Sequence, residues 1–145
     1  MNPMAIKTIS LTALSVVGTA IATALGGWDT AMIVLVSVMT IDVITGLLVA
    51  IVWKKSGKSS TGAADSRAMF KGLCRKGLML LLIWLGVNLD LALGLNGVIR
   101  TAMILYFTGN EGLSVIENAG IMGVPLPPIV KNALEQLRNK GGEAK

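Results

Sequence analysis

Residues 31–53 form an apolar run that ends at Trp53-Lys54-Lys55 and holds one ionisable side chain, Asp42, near its middle. As a helix the run is about 34 Å long, enough to cross the roughly 30 Å apolar core of a bilayer. A carboxylate at the centre of such a span costs on the order of 2.5–3.5 kcal/mol against lipid, so Asp42 is expected to face protein or water. A helical membrane bundle is the architecture that accommodates both features.

Composition points the same way. The chain is 53% hydrophobic and 14% charged, where soluble domains average about 25% charged, and its 145 residues read as one small membrane domain. It contains no histidine and a single cysteine, which argues against an enzyme, a metal centre or an internal disulfide. No catalytic residue and no cofactor are expected. A net charge of +5 would suggest nucleic acid in a soluble protein, but its distribution suggests lipid instead. Lys54, Lys55, Lys58, Arg67, Lys71, Arg75 and Lys76 fall between two apolar runs and are opposed only by Asp65. That is the pattern of a cytoplasmic loop, 54–76, against anionic lipid, with no nucleic-acid partner.

Four apolar segments, 8–26, 31–53, 77–94 and 98–117, are linked by the tight turns GGWD (26–29) and GLNG (94–97) and by the basic loop. The expectation is an all-α integral membrane protein with about four transmembrane helices in two antiparallel hairpins. Lys7 ahead of the run Leu11 to Gly27 looks like a secretion signal, but the next span follows at once, and the segment reads as a retained first helix. Lys and Arg lie at the N-terminus, in the long loop and in the tail, so both termini are expected in the cytoplasm; a three-span alternative leaves the basic tail outside. Beyond Gly123, prolines precede a short amphipathic helix, 128–140, with Ile129, Val130, Ala133, Leu134 and Leu137 on one face. It is expected on the cytoplasmic surface or against the long loop.

Several features can carry function. Thr8, Thr12, Ser15, Thr19 and Thr23 share one stripe of the first helix, readable as a pore wall or as a packing face whose hydroxyls bond to their own i−4 carbonyls. Asp42 and Glu111 lie about 17 and 20 Å from the outer ends of their segments, so the two acids sit at one depth, either as satisfied structural groups or as a polar element whose hydration changes on assembly. Gly46, one turn from Asp42, leaves room for a neighbouring helix. Asp90 and Arg100 flank the outer turn and are expected to pair with each other. SGKSSTG (56–62) lacks the first glycine and the strand context of a phosphate loop. Cys74 beside Arg75 and Lys76 reads as a chance small residue at the membrane edge, or as a thiol of lowered pKa.

IDVITGLLVA (41–50), FKGLCRKGLMLLLI (70–83) and RTAMILYFTGNEGLSVIENAGIMGVPLPPIVKNALEQL (100–137) closely resemble the bacteriophage holin family that includes the clostridial toxin-secretion holins. The similarity covers roughly residues 30–140, and NEGLSVIENAG followed by GVPLPP is its most specific part. The resemblance implies a cytoplasmic-membrane protein that homo-oligomerises into lesions through which an endolysin or a toxin crosses. Its motif positions fall on Asp42, Thr45, Gly46, Gly72, Gly77, Arg100, Asn110, Glu111, Gly112, Ser114, Glu117 and Asn118, none with a catalytic role. An antiholin-type regulator and a small membrane channel or transporter are the competing readings.

Overall fold

The computed structural model describes residues 2–57 and 61–142. Among these the structure is all helix. Helix α1 (Pro3–Ala24) starts with Pro3 in its first turn, and Asn2 Oδ1 accepts the Met4 N–H at 3.1 Å. Gly26 and Gly27, at φ +79° and +105°, turn the chain into α2 (Thr30–Leu48). Asp29 caps α2 by accepting the Met32 N–H at 2.9 Å. The helix runs on through a π-helical turn, Val49–Trp53, into one rod. It stops where Lys54 adopts a left-handed conformation.

Helix α3 (Ser66–Leu93) is capped by Asp65, whose carboxylate accepts the Arg67 N–H, and ends at the left-handed Gly94. It begins eleven residues before the expected 77, because the cap at Asp65 outweighs the basic character that made 66–76 read as loop. The segment between helices is therefore 54–65 rather than 54–76. Helix α4 (Val98–Ile121) and helix α5 (Pro128–Gly142) complete the chain.

Helix α4 is the centre of the assembly and packs against α2, α3 and α5. Met32, Leu35, Met39, Met79, Ile83 and Ile104 fill the space between α2, α3 and α4, with Leu25 closing the end. Gly86 lets α3 approach α4, since a Cβ there would stand 3.0 Å from Met103 Sδ and 3.4 Å from the Arg100 nitrogen. By contrast α1 buries none of its residues.

Three helical rods are long and apolar enough to cross a membrane: Pro3–Ala24, Thr30–Trp53 and Ser66–Leu93. Helix α4 has the length, but it carries Arg100, Glu111 and Glu117. The amphipathic helix departs from expectation. Rather than packing on the long loop, α5 folds back along α4, its Gly141 against the backbone of Ala102 and Tyr106. Gly109 makes this approach possible, because a Cβ there would meet the Arg138 nitrogen at 2.5 Å and the Leu134 carbonyl oxygen at 2.6 Å. Gly109→Ala is expected to lift α5 off α4, although alanine favours a helix by about 1 kcal/mol over glycine. Limited proteolysis in detergent should then cut α5 faster than in the unaltered chain.

Candidate functional site

Two polar clusters sit on α4. The first surrounds its N-terminal end. Gly97 has no side chain to cap the helix, and Asp90 of α3 does so instead, accepting the N–H groups of Ile99 at 2.9 Å and Arg100 at 2.8 Å. A carboxylate is favoured there by the unpaired N–H groups and the helix dipole. The Arg100 guanidinium turns away from Asp90. Its Nε donates to the Leu25 carbonyl at 2.6 Å, Nη1 to Asp29 Oδ2 at 2.6 Å and Nη2 to the Gly27 carbonyl at 3.0 Å. The expected Asp90–Arg100 side-chain pair is thus replaced by a backbone cap and an Asp29–Arg100 ion pair. A Cβ on Gly26 would fall 2.7 Å from Arg100 Nε, so glycine admits the guanidinium.

The hydrogen bond from Arg100 holds the Asp29 carboxyl below its ordinary value of 3.8, helped by the Met32 N–H and opposed by burial. A carboxyl lowered in the folded state contributes stability that is whole above the unfolded value and fades as pH falls through the folded one.

The second cluster lies midway along the rods. Lys76 Nζ donates to Asp42 Oδ2 at 2.9 Å and also to Glu111 Oε2. Asn118 Nδ2 donates to Asp42 Oδ1 at 3.3 Å and to Thr45 Oγ1 at 3.0 Å, while Thr45 donates to the Ile41 carbonyl. Gly46 leaves the space that Asn118 enters, its Cβ position being 3.7 Å from Asn118 Nδ2. Asp42, Glu111 and Asn118 are buried. Among the described residues no buried side-chain nitrogen or oxygen lacks a partner.

The structure thus brings Asp42, Thr45, Gly46, Glu111 and Asn118 together. It leaves Asn110 and Glu117 exposed and Ser114 half-buried. Lys54, Lys55, Arg67, Lys71 and Arg75 are exposed, and Lys58 lies outside the described residues. Lys76 does not belong with them: its side chain is 12% exposed and faces the two acids. The signal was available, since Lys76, Met79, Ile83, Gly86 and Asp90 recur at spacings of three and four, the α3 face turned to α4. Asp29 was likewise hidden in a turn motif, although an Asp before an apolar helix is a cap signal. In the stripe on α1, Thr8, Thr12, Ser15, Thr19 and Thr23 each donate to a carbonyl four residues back at 2.9 Å, so every hydroxyl is satisfied within its own helix.

The model of the bacteriophage holin family matches residues 19–139. The chain belongs to that family. A protein of Bacillus phage phi105 named "Probable holin" is 33% identical over 99 residues, 68% of this chain and 67% of the phage protein. An uncharacterised 14.9 kDa protein of Clostridium perfringens is 36% identical over 117 residues, 79% of this chain and 82% of its own length. The uncharacterised protein Lmo0128 of Listeria monocytogenes is 32% identical over 118 residues, 81% of this chain and 79% of that protein. No solved structure matches significantly. Membership of a holin family, with three apolar helices of spanning length, speaks for a non-enzymatic membrane protein.

Lys76→Met is expected to cost about 3–5 kcal/mol, because it leaves buried carboxylates without their cation. Lys71→Met should stay within about 0.5 kcal/mol. Thermal unfolding in detergent compares them, and equal effects would mean that Lys76 is a surface residue. At the other cluster, Arg100→Ala and Asp29→Ala are expected to be non-additive by 0.5 kcal/mol or more in a double-mutant cycle, as contacting residues are. That coupling should begin to shrink as pH falls past the ordinary carboxyl value of 3.8 and be lost once pH passes the lower folded value of Asp29.

Proposed function

We propose that this chain is a hole-forming holin of the bacterial cytoplasmic membrane. It accumulates as dispersed copies and then assembles with further copies of itself into lesions that pass an endolysin or a large toxin. Helix α4 crosses the membrane as a fourth span, its buried charges Arg100 and Glu111 matched by the α1–α2 turn and by Lys76 of α3. The N-terminus and the basic segment after Trp53 face the cytoplasm, in keeping with the excess of Lys and Arg there.

One observation carries this reading beyond family membership. Asp42, Lys76 and Glu111 are packed against one another inside a single copy, at the middle of a rod long enough to span a bilayer. Buried, they let a dispersed copy keep the membrane sealed. Turned toward water in an assembly, they favour a hydrated opening. One elementary charge moved across the full membrane potential is worth about 2.3 kcal/mol per 100 mV, so depolarisation biases any rearrangement that moves them.

The test is inducible expression in a bacterium that holds a folded reporter enzyme in its cytoplasm, with membrane potential and reporter followed together. Sudden depolarisation coincident with enzyme release is expected. Depolarisation without release would replace the reading by a small channel, and silence in both by an antagonist of assembly. Asp42→Asn and Glu111→Gln are expected to shift the onset of release; unchanged timing and extent would remove the buried cluster from the mechanism.

A further inference from the structure

Asp42 lies at the midpoint of the rod Thr30–Trp53, and Lys76 ties it to Glu111. The level of Glu111 on α4 therefore marks the middle of the apolar layer. Gly109 and Gly112 flank that level and face α5. A Cβ on Gly109 would stand 2.5 Å from the Arg138 nitrogen, and one on Gly112 would stand 2.5 Å from Leu134 Cδ2. With the rod Thr30–Trp53 across the membrane, as proposed above, Leu134 and Arg138 fall at mid-membrane depth, and Gly141 reaches Ala102 and Tyr106 further along α4.

In helical register Leu134, Arg138 and Gly141 share the side turned to α4, and Asn132, Gln136 and Asn139 share the opposite side. All three amides are exposed. Exposed Lys131 and half-buried Glu135 flank them. Hydrocarbon offers no hydrogen-bond partner to such a face. The outward residues of the other rods contrast with it: Ile33, Val34 and Ile44 on α2, and Leu81, Trp84 and Leu85 on α3, are apolar and suited to lipid. A row of amides, held at that depth by close contact with the α4 backbone, is costly against lipid and favoured against water.

We propose that α5 is the water-facing wall of the hole, with Asn132, Gln136 and Asn139 lining its lumen. The proposal rests on the hole-forming reading and names the element that lines the opening. Helix α4 is then the scaffold, and its glycines hold α5 in place. In a dispersed copy the same face drives assembly, because copies that turn α5 toward a common centre keep these amides away from lipid.

The test uses the full chain with Cys74→Ser and a single cysteine, Gln136→Cys, carrying an environment-sensitive fluorophore. The protein is placed in phosphatidylethanolamine and phosphatidylglycerol vesicles loaded with a folded fluorescent protein. Aqueous iodide and lipids bearing a nitroxide at the headgroup or deep in the chain serve as quenchers. Expected are release of the enclosed protein, quenching by iodide, and stronger quenching by the deep nitroxide than by the headgroup one. An Ile44→Cys control should respond to the deep nitroxide and not to iodide. Release with headgroup-level quenching would put α5 on the membrane surface and overturn the proposal. Quenching by nitroxide without iodide, or by neither, would mean that lipid or a second copy covers this face, and would overturn it equally. Absence of release would sink the hole-forming reading itself. Replacing Asn132, Gln136 and Asn139 together by leucine should abolish release while the protein still inserts; undiminished release would also refute the lumen assignment.

Discussion

The fold depends on the need of α4 to find partners for its own charges. Arg100 and Glu111 are both buried, and an isolated charge in a low-dielectric interior costs several kcal/mol even after relaxation. Each is met by residues from other elements. Arg100 binds the α1–α2 turn while Asp90 of α3 caps the same end of α4. Eleven residues on, about 16 Å along the axis, Glu111 meets Lys76 of α3 and through it Asp42 of α2. Two separate polar junctions therefore fix how α4 sits between α2 and α3. Inside a bilayer this matters more than in water, because lipid tails are as apolar as Leu and supply no hydrophobic drive for helices to associate.

The same logic explains why α1 stands apart. Its hydroxyls are satisfied by carbonyls of their own helix, and it buries none of its residues. It brings no unmet polar group that a neighbour must answer. What holds it is the Arg100 guanidinium, bound to the carbonyls of Leu25 and Gly27 just past its end. Helix α1 is thus fastened at one end and free along its length, whereas α4 is fastened at two levels.

The helices were legible because their signals are local. Apolar runs, the turns at 26–29 and 94–97 and the prolines before α5 mark most elements directly, and the equal depth of Asp42 and Glu111 follows from rise per residue alone. The partners were less legible. Lys76 stands beside Arg75 in a basic stretch, and counting charge by segment hides that it sits on the α3 face that also carries Met79 and Ile83. Asp90 and Arg100 were rightly placed near each other, but sequence distance does not tell a backbone cap from a side-chain pair. The course of α5 was lost for a further reason: Gly109, Gly112 and Gly141 permit a close helix contact without specifying which helix makes it.

Stability alone does not account for the central cluster. Replacing a buried ion pair by apolar side chains of similar volume is often neutral or stabilising, whereas removing one partner is costly. A chain selected only to stay folded in lipid would lose little by carrying leucine or methionine at Asp42, Lys76 and Glu111 together. What the charges supply is a choice of surroundings. Packed against one another they tolerate a dry bundle, and separated they demand water. On the reading proposed above, that dependence lets one sequence be compatible with a sealed membrane as a single copy and with an open one as an assembly.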